Sequence, residues 1–334
     1  MIELTDKFNR IHNYLRISLT DRCNLNCIYC NPADFKLIKT PRADILNFDE
    51  ILRLIKIFVG SFGFHKIRFT GGEPFVRKGI IQLFEEVDKL KSVYNFDVGI
   101  TTNGTLLEDK IESLKKFGVD KLNISLDSLN ADKFKFITGK DDFESTMRAI
   151  YRAIDLGFNP LKINVVVLKN INDNEIIDFV DFAVNKNLNI RFIEFMPFGN
   201  NSWSEDAFIS YEEMKIIVEK KYTLKEIPSN NGKVAKDFYI IDHPGEVSFI
   251  SSISDDFCGS CNRLRITAKG EMKLCLFSTG ENEINFKQLF SNGKYSDDEI
   301  CEIIKEAIQF KQEKHPAPEE LAALEENNML TLGG

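Results

Sequence analysis

Three closely spaced cysteines, Cys23, Cys27 and Cys30 (the first trio), are the residues best suited to chemistry. Their spacing is C-x3-C-x2-C, and they follow an apolar stretch, residues 14–19, that predicts a strand. A [4Fe–4S] cluster normally takes four thiolates, so three leave one iron open, much as catalytic zinc sites keep a position free. A zinc site or a disulfide-bonded loop is the alternative. The gap of three residues argues against zinc, because zinc pairs usually read C-x2-C with a distant second pair.

Three more cysteines, Cys258, Cys261 and Cys275 (the second trio), lie near the other end of the chain with the spacing C-x2-C-x13-C. A hairpin predicted between Cys261 and Cys275 would bring them together. The alternative is a zinc knuckle whose fourth ligand is His243 or Cys301, but neither has the spacing of a knuckle. Cys301 lies in a helical pattern, where it is expected to be a small buried apolar side chain.

The composition is that of an ordinary globular protein, with 334 residues, 43% hydrophobic and 28% charged. The net charge of −8 argues against a general nucleic-acid or anionic-membrane surface, so a bound anion must be held by a local cluster of cations. There is no run of about 18 apolar residues for a transmembrane helix, and the N-terminus lacks the apolar core of a signal peptide. We therefore expect a cytoplasmic protein. The oligomeric state stays open, with a homodimer as one option, and the reductant is unknown.

Strand-like and helix-like patterns alternate along the first part of the chain. Strands are predicted at 14–19, 66–70, 97–101, 121–126, 161–168 and 189–195, and helices at 49–60, 78–91, 108–117, 143–156 and 174–187. Six strand–helix units predict a parallel sheet, and six fall short of the eight that close a TIM barrel. We therefore predict an α/β fold: a partial, open βα barrel of about six units over residues 1–198, closed by a C-terminal α+β region over residues 199–334. That region is predicted to contain helices at 211–221 and 297–314 and strands at 238–242, 247–250, 264–267 and 272–276.

The predicted strands have one apolar face and one polar face that carries cations. Leu15 and Ile17 alternate with Arg16 and Ser18, and the later strands repeat this pattern. A parallel sheet covered on both sides should read as nearly continuous apolar runs. Because buried cations are costly unless they are paired, the polar face predicts a lumen that holds a polyanion. The alternative, an antiparallel sheet with a solvated face, fits less well with the intervening helices.

The residues around the first trio resemble a known family. An aromatic residue, Tyr29, precedes the last cysteine, and residues 18–24 read Ser-Leu-Thr-Asp-Arg-Cys-Asn. C-x3-C-x2-C with that aromatic residue resembles the radical S-adenosylmethionine (SAM) superfamily. Residues 18–24 resemble one family within it, the GTP cyclases of molybdenum cofactor biosynthesis, and this resemblance runs from about Arg16 to the last residue. Asn31 and Leu332 depart from the residues common in that family, and neither is an expected ligand.

The resemblance implies a SAM site beside the first trio. Gly72, in the motif Gly-Gly-Glu-Pro of residues 71–74, would meet the methionine end of SAM through its backbone, and Tyr29, Ser125 and Met196 would line the pocket. The amino and carboxylate groups of SAM would bind the open iron of a [4Fe–4S] cluster. These motifs follow different predicted strands, and barrel-type sheets place their sites at the carboxyl ends of strands.

The resemblance also implies a second [4Fe–4S] cluster at the second trio, whose open iron would bind the guanine of GTP. The residues expected to contact GTP are Arg16, Arg68, Thr101, Lys162, Arg263, Leu264 and Arg265. Arginine forks suit phosphate oxygens, and lysine supplies a point charge. The implied catalytic residues are Arg263, Arg265, Gly333 and Gly334. From the residues alone the last two would be a frayed tail, but in the family they reach into the active site, where only a residue without a side chain fits.

The implied activity is that of a lyase. Reductive cleavage of SAM gives methionine and a 5′-deoxyadenosyl radical, which removes the 3′ hydrogen of the GTP ribose, and the resulting carbon radical attacks C8 of guanine. The product would be (8S)-3′,8-cyclo-7,8-dihydroguanosine 5′-triphosphate, formed early in molybdenum cofactor biosynthesis. Two alternatives stay open: a radical SAM enzyme that modifies a peptide, and a non-enzymatic iron–sulfur or zinc protein.

Overall fold

A computed structural model describes residues 2–31, 39–198, 201–228, 232, 234–278, 283–323 and 328–333. Its strands are β1 Leu4–Thr5, β2 Ile11–His12, β3 Tyr14–Ser18, β4 Lys66–Thr70, β5 Asp97–Thr102, β6 Lys121–Ser125, β7 Leu161–Val167, β8 Asn189–Glu194, β9 Leu224–Glu226, β10 Lys236–Ile240, β11 Glu246–Ile250, β12 Arg263–Ile266 and β13 Met272–Lys273. Its α-helices are α1 Phe48–Lys56, α2 Ile80–Lys91, α3 Ile111–Lys116, α4 Ala131–Thr138, α5 Phe143–Asp155, α6 Ile176–Lys186, α7 Tyr211–Glu219, α8 Phe286–Phe290, α9 Asp297–Ile308, α10 Pro318–Ala322 and α11 Met329–Leu332.

The main sheet has the strand order β13-β12-β3-β4-β5-β6-β7-β8-β11-β10-β9 within the described residues. Strands β3 to β8 pair in parallel, each with the next, which confirms the predicted α/β fold and excludes the antiparallel alternative. The C-terminal region extends this sheet at both edges, since β12 pairs in parallel with β3 and β11 with β8. The sheet remains an open barrel whose two edges are both built from C-terminal strands.

The apolar face of the strands forms the core against the helices. Leu15, Ile17, Ile67 and Phe69 are at most 1% exposed and belong to one large hydrophobic cluster. Because side chains alternate along a strand, the residues between them point to the other side of the sheet. The polar lumen predicted from the sequence is therefore the space enclosed by the curved sheet.

Several elements of the structure differ from the predictions. Helix α4 was not predicted, although Asn130 caps its start and Gly139 ends it with a φ of 69°, because its exposed Phe136 hides the helical period. The first helix continues past α1 as a π-helical segment, Ile57–Ser61. The strand predicted at 272–276 ends at Lys273, and the helix predicted at 297–314 ends at Ile308. Beyond these two ends, the Lys311 side chain donates a hydrogen bond to the Leu274 carbonyl.

Candidate active site

The first trio lies in the loop after β3, at the carboxyl ends of the parallel strands. All three cysteines line one cavity of about 250 Å³, the main cavity. Backbone hydrogen bonds hold the loop against the end of α4: the Asn26 amide donates to the Thr138 carbonyl (2.9 Å) and the Ile28 amide to the Ile137 carbonyl (2.9 Å). The helix that the sequence did not predict is therefore the support of the cysteine loop.

Gly72 lies against the start of the same loop. A Cβ atom at position 72 would lie 2.4 Å from the Arg22 carbonyl oxygen and 3.0 Å from the Cys23 amide nitrogen, so only glycine fits without moving the loop. The next residue, Glu73, is fully buried and accepts hydrogen bonds from the Thr102 hydroxyl (2.8 Å) and the Asn103 amide (2.7 Å). Burial raises the pKa of Glu73 to about 7, despite these hydrogen bonds.

The main cavity is lined by all four residues that were predicted to bind SAM: Tyr29, Gly72, Ser125 and Met196. The Tyr29 hydroxyl donates to the Asp127 carboxylate at 2.7 Å, and burial raises the pKa of Asp127 to about 6. The side-chain amide of Asn201 donates to the carbonyls of Tyr29 (3.0 Å) and Met196 (2.8 Å). Asn201 thus ties the cysteine loop to the segment after β8, a link between distant residues that no local sequence motif reveals.

Three arginines form a row across neighbouring strands on the lumen side. Arg265 of β12 is the register partner of Arg16 in β3, and Arg16 is the partner of Arg68 in β4. The next position in the row is Gly99, where a Cβ atom would lie 2.8 Å from Nη2 of Arg68, so glycine leaves room for that guanidinium. Like charges on adjacent strands repel one another, and the row gives this part of the lumen wall a positive charge.

The arginine row lines the main cavity together with Arg191 and Arg263. Burial lowers the pKa of Arg16 well below its usual value, with repulsion from Arg265 adding to the shift. Burial likewise lowers the pKa of Arg191 and of Arg265 to about 10. Arg191 was not among the predicted site residues, although it has the same strand periodicity as the arginines that were.

Tyr14 is a further cavity residue that the sequence did not single out. Its hydroxyl accepts a hydrogen bond from Nε of Arg68 at 2.7 Å, and the Arg263 guanidinium lies 5.1 Å from the centre of its ring. Burial opposes ionisation of the phenol, but Arg68, Arg16 and Arg263 outweigh it and lower the pKa of Tyr14 to about 7.

Two of the predicted GTP contacts do not line the main cavity, whereas Thr101 does. The Leu264 side chain is fully buried in the hydrophobic core, because it alternates with Arg263 and Arg265 along β12. A contact of Leu264 with GTP would therefore have to use its backbone, and it stays a prediction. Lys162 lies outside the cavity lining, close to Arg191, Asp237 and Glu246, and burial lowers its pKa to about 8.

The second trio lines a smaller cavity of about 60 Å³. Its wall is shared with the main cavity through Ser252, Phe257, Arg263, Arg265 and Leu276. The two trios therefore face one continuous region of the molecule, with the arginine side chains between them.

The thiols of the second trio differ in their electrostatic surroundings. Burial raises the pKa of Cys258 to about 11. At Cys261 burial acts in the same direction, but Lys311 and Arg263 outweigh it, and the pKa lies below its usual value. One thiol of the trio thus already lies in a field that favours the thiolate.

The C-terminal segment enters the lumen. Met329 and Leu330 of α11 line the main cavity, and the Gly333 carbonyl accepts a hydrogen bond from the Thr70 hydroxyl at 2.6 Å. A small hydrophobic cluster of Phe198, Phe277, Leu321 and Leu332 anchors the segment. The prediction that Gly333 reaches the site agrees with this placement, and Gly334 lies outside the described residues.

Two family models match consecutive parts of the chain. The model described as the radical SAM superfamily matches residues 17–183, and the model described as Molybdenum Cofactor Synthesis C matches residues 188–317. The mitochondrial GTP 3′,8-cyclase of Arabidopsis thaliana is 43% identical over 332 residues, which cover 99% of this chain and 83% of that protein. The chain belongs to the GTP 3′,8-cyclase family of the radical SAM superfamily.

Other members of the family have similar identities over nearly the whole chain. The GTP 3′,8-cyclase of Petrotoga mobilis is 40% identical and is covered to 94%. Molybdenum cofactor biosynthesis protein 1 of Dictyostelium discoideum is 48% identical over 99% of this chain, and the chain spans about half (52%) of that relative's length.

Among solved structures, Streptococcus suis SuiB bound to S-adenosylmethionine matches with a TM-score of 0.58 and 16% identity, covering 90% of this chain and 73% of that one. This likeness supports the fold. In the described residues, no helix is long and apolar enough to cross a membrane.

Membership of the radical SAM superfamily implies SAM and an iron–sulfur cluster, and the cysteines fit that cofactor. All seven cysteines are free thiols in the structure. Among the described residues, no three His, Cys, Asp or Glu side chains converge as ligands of one metal ion. Zinc holds its sulfur ligands at about 2.3 Å from a single centre, whereas the thiolates of an iron–sulfur cluster share a larger polynuclear core. The three cysteines of each trio line one cavity together, as the thiolate ligands of such a cluster would.

The two residues considered as a fourth zinc ligand do not reach the second trio. Cys301 is buried in the core within α9, and His243 packs edge-on against Tyr222 with 5.4 Å between ring centres. Neither lines the cavity of the second trio. His315 does line it, but its ring nitrogens lie within hydrogen-bonding distance of the carbonyls of Ser252 (3.0 Å) and Pro316 (2.7 Å).

Proposed function

We propose that this protein is a two-cluster radical SAM enzyme that converts GTP to 3′,8-cyclo-7,8-dihydro-GTP, an early step of molybdenum cofactor biosynthesis. One observation carries the proposal: a single cavity is lined by the first trio, by five arginines and by a wall shared with the second trio. The family relationship supplies the reaction, and the charged wall supplies the reason for a triphosphate substrate.

The arginine row suits the triphosphate end of GTP. Burying several guanidinium groups side by side is unfavourable without counter-charge, and a triphosphate provides that charge over a comparable length. Each guanidinium can form paired hydrogen bonds to phosphate oxygens. The triphosphate lies on Arg16, Arg68 and Arg265 and the guanine at the second trio, so that the ribose, which joins them, is presented to the SAM side of the cavity.

The residues around the first trio hold SAM. When bound, the cluster at the first trio supplies the one-electron reduction that cleaves SAM. The backbone beside Gly72 offers polar groups to the methionine end, and Tyr29, Ser125 and Met196 form the surrounding wall. Met329 and Leu330 cover the cavity with apolar side chains, which excludes water from a reactive radical.

The test is anaerobic reconstitution of the full chain, with iron and sulfide counts and product analysis in the presence of SAM, dithionite and GTP. About eight iron atoms are expected in the wild type and about four in Cys275→Ser. The wild type should form deoxyadenosine and the cyclic nucleotide, whereas Cys275→Ser should still form deoxyadenosine without the cyclic product. The control variant is Arg148→Ala, because the Arg148 side chain is exposed and pairs with Glu108 at the surface.

Three results would contradict the proposal. Only about four iron atoms in the wild type would show that the second cluster does not form. Deoxyadenosine formed with no binding of GTP would favour a peptide-modifying enzyme. The absence of deoxyadenosine would favour a non-enzymatic protein. The cytoplasmic location, the homodimer and the identity of the reductant stay predictions that this experiment does not address.

A further inference from the structure

Two buried cations lie beside the second trio, in a cavity that shares no lining residue with the main cavity. Lys311 follows α9 and is 3% exposed, and Arg10 precedes β2 and is 7% exposed. Both line a space of about 120 Å³ together with all three cysteines of the second trio. Neither residue has a role in the function proposed above.

Lys311 binds the backbone next to two of the three cysteines. Its ammonium group donates hydrogen bonds to the carbonyl of Arg263, at 3.2 Å, and to that of Leu274. Arg263 lies two residues after Cys261, and Leu274 immediately precedes Cys275. One side chain therefore joins the two strands, β12 and β13, from which these cysteines extend.

Arg10 binds the backbone of the remaining cysteine. Its guanidinium donates to the carbonyl of Cys258 at 2.9 Å and to those of Gln312 (2.7 Å) and Glu313 (3.0 Å). The Asp6 carboxylate accepts from Nε of Arg10 at 2.6 Å. Arg10 thus connects the second trio to the segment that carries Lys311, and its own charge is paired with Asp6.

The charge of Lys311 is the unusual feature of this arrangement. A lysine is almost never fully buried unless it is paired, yet both of its acceptors are neutral carbonyl groups. Three thiolates on a [4Fe–4S] core with two positive charges would leave one net negative charge, which would grow on reduction. A buried ammonium beside the trio is the counter-charge that such a cluster needs.

We propose that Lys311, with Arg10 beside it, positions the cysteines of the second trio and neutralises the charge of the cluster that they bind. This inference rests on the second cluster of the proposed function. A positive charge beside a cluster stabilises its reduced state, because hydrogen bonds and net charge around the sulfurs set the reduction potential. Loss of the charge should therefore lower that potential.

The test compares Lys311→Met and Lys311→Gln with Lys305→Met in the reconstituted full-length protein. Lys305 is the control, since it lies on α9, pairs with Glu302 at the surface and lines none of the three cavities described above. The measurements are iron content and an EPR-monitored redox titration, in which the signal of the second cluster is the one that Cys275→Ser removes. Lys311→Gln keeps a hydrogen-bond donor but no charge, and so separates charge from positioning.

We expect both Lys311 variants to shift the one-electron reduction equilibrium of the second cluster by at least tenfold, about 59 mV to lower potential. Complete loss of the second cluster from Lys311→Met, with about four irons retained, would also support the positioning role. Wild-type iron content and potential in both variants would overturn the inference. If the wild type itself holds only four irons, the proposed function fails instead, so the two failures are distinguishable.

Discussion

Replacing Gly333 with alanine should detach the C-terminal segment from the lumen. Gly333 has a φ of 78°, a backbone conformation that alanine adopts only at a cost. An added Cβ atom would lie 2.6 Å from Cβ of Ser18 and 3.1 Å from the Thr70 hydroxyl oxygen. Both neighbours are on strands of the barrel wall, so the segment must move rather than the wall.

The size of the effect follows from two terms. A non-glycine residue in the left-handed region costs about 1–2 kcal/mol, and overpacking at a rigid wall costs about 1–3 kcal/mol. Their sum, about 2–5 kcal/mol, reduces the ratio of docked to undocked segment by roughly 30-fold to several thousand-fold at 1.36 kcal/mol per factor of ten. Global stability should change little, because α11 contributes few residues to the core.

Hydrogen exchange measures the docking directly. The amides of residues 331–333 bond back to Asn328 and Met329, and in Gly333→Ala their exchange should become faster while formation of the cyclic nucleotide falls. Gly157→Ala is the control, since its φ is 66° and a Cβ atom there meets nothing within 4 Å. Adding Ser18→Gly to Gly333→Ala removes the closest contact and should restore part of the activity. Wild-type exchange and turnover in Gly333→Ala would refute the reasoning.

Three further predictions concern the arginine row and the residues next to it. Arg265→Ala should weaken GTP binding by about tenfold or more, because a charge-assisted hydrogen bond is lost, while SAM cleavage measured as deoxyadenosine is largely retained. Gly99→Ala should raise the KM for GTP without lowering Tm, because its Cβ atom would displace the Arg68 guanidinium. Tyr14, with a pKa of about 7, should be ionised above that pH, where its charge repels phosphate. GTP binding, measured by calorimetry, should therefore weaken from pH 6 to pH 8. Tyr14→Phe has no phenol to ionise, so its GTP binding should change less with pH than that of the wild type.

The strands and their two faces could be predicted because they depend on local alternation. Every predicted strand from 14–19 to 189–195 exists within one residue of its predicted ends, and the cations predicted on the polar face at Arg16 and Arg68 line the cavity. The six cysteines were identifiable from spacing for the same reason. Properties that depend on neighbours within a few residues are readable from one sequence.

Properties that depend on distant contacts were not readable. Lys162 and Arg16 both lie on polar strand faces, yet only Arg16 lines the cavity, although Asn123, the register partner of Lys162, lines it as well. Leu264 was predicted to contact GTP because it lies in a short motif between Arg263 and Arg265, and the sequence motif did not show that strand alternation buries its side chain in the core. Asn201 and Lys311 act through backbone carbonyls far away in sequence, and no local pattern marks such contacts.

The distance between the two trios is set by the length of two paired strands. Strand β12 pairs in parallel with β3, with Arg263 beside Tyr14. In the second trio, Cys258 and Cys261 precede β12 and Cys275 follows β13. The first trio follows β3, at the opposite end of the paired strands. The four residue-to-residue steps from Tyr14 to Ser18 span about 13 Å at about 3.3 Å per residue, and the loops add to this. A substrate that reached both trios would therefore be an elongated molecule lying along the strands and crossing the arginine row, which runs from strand to strand at Arg16, and a nucleoside triphosphate has such an elongated shape.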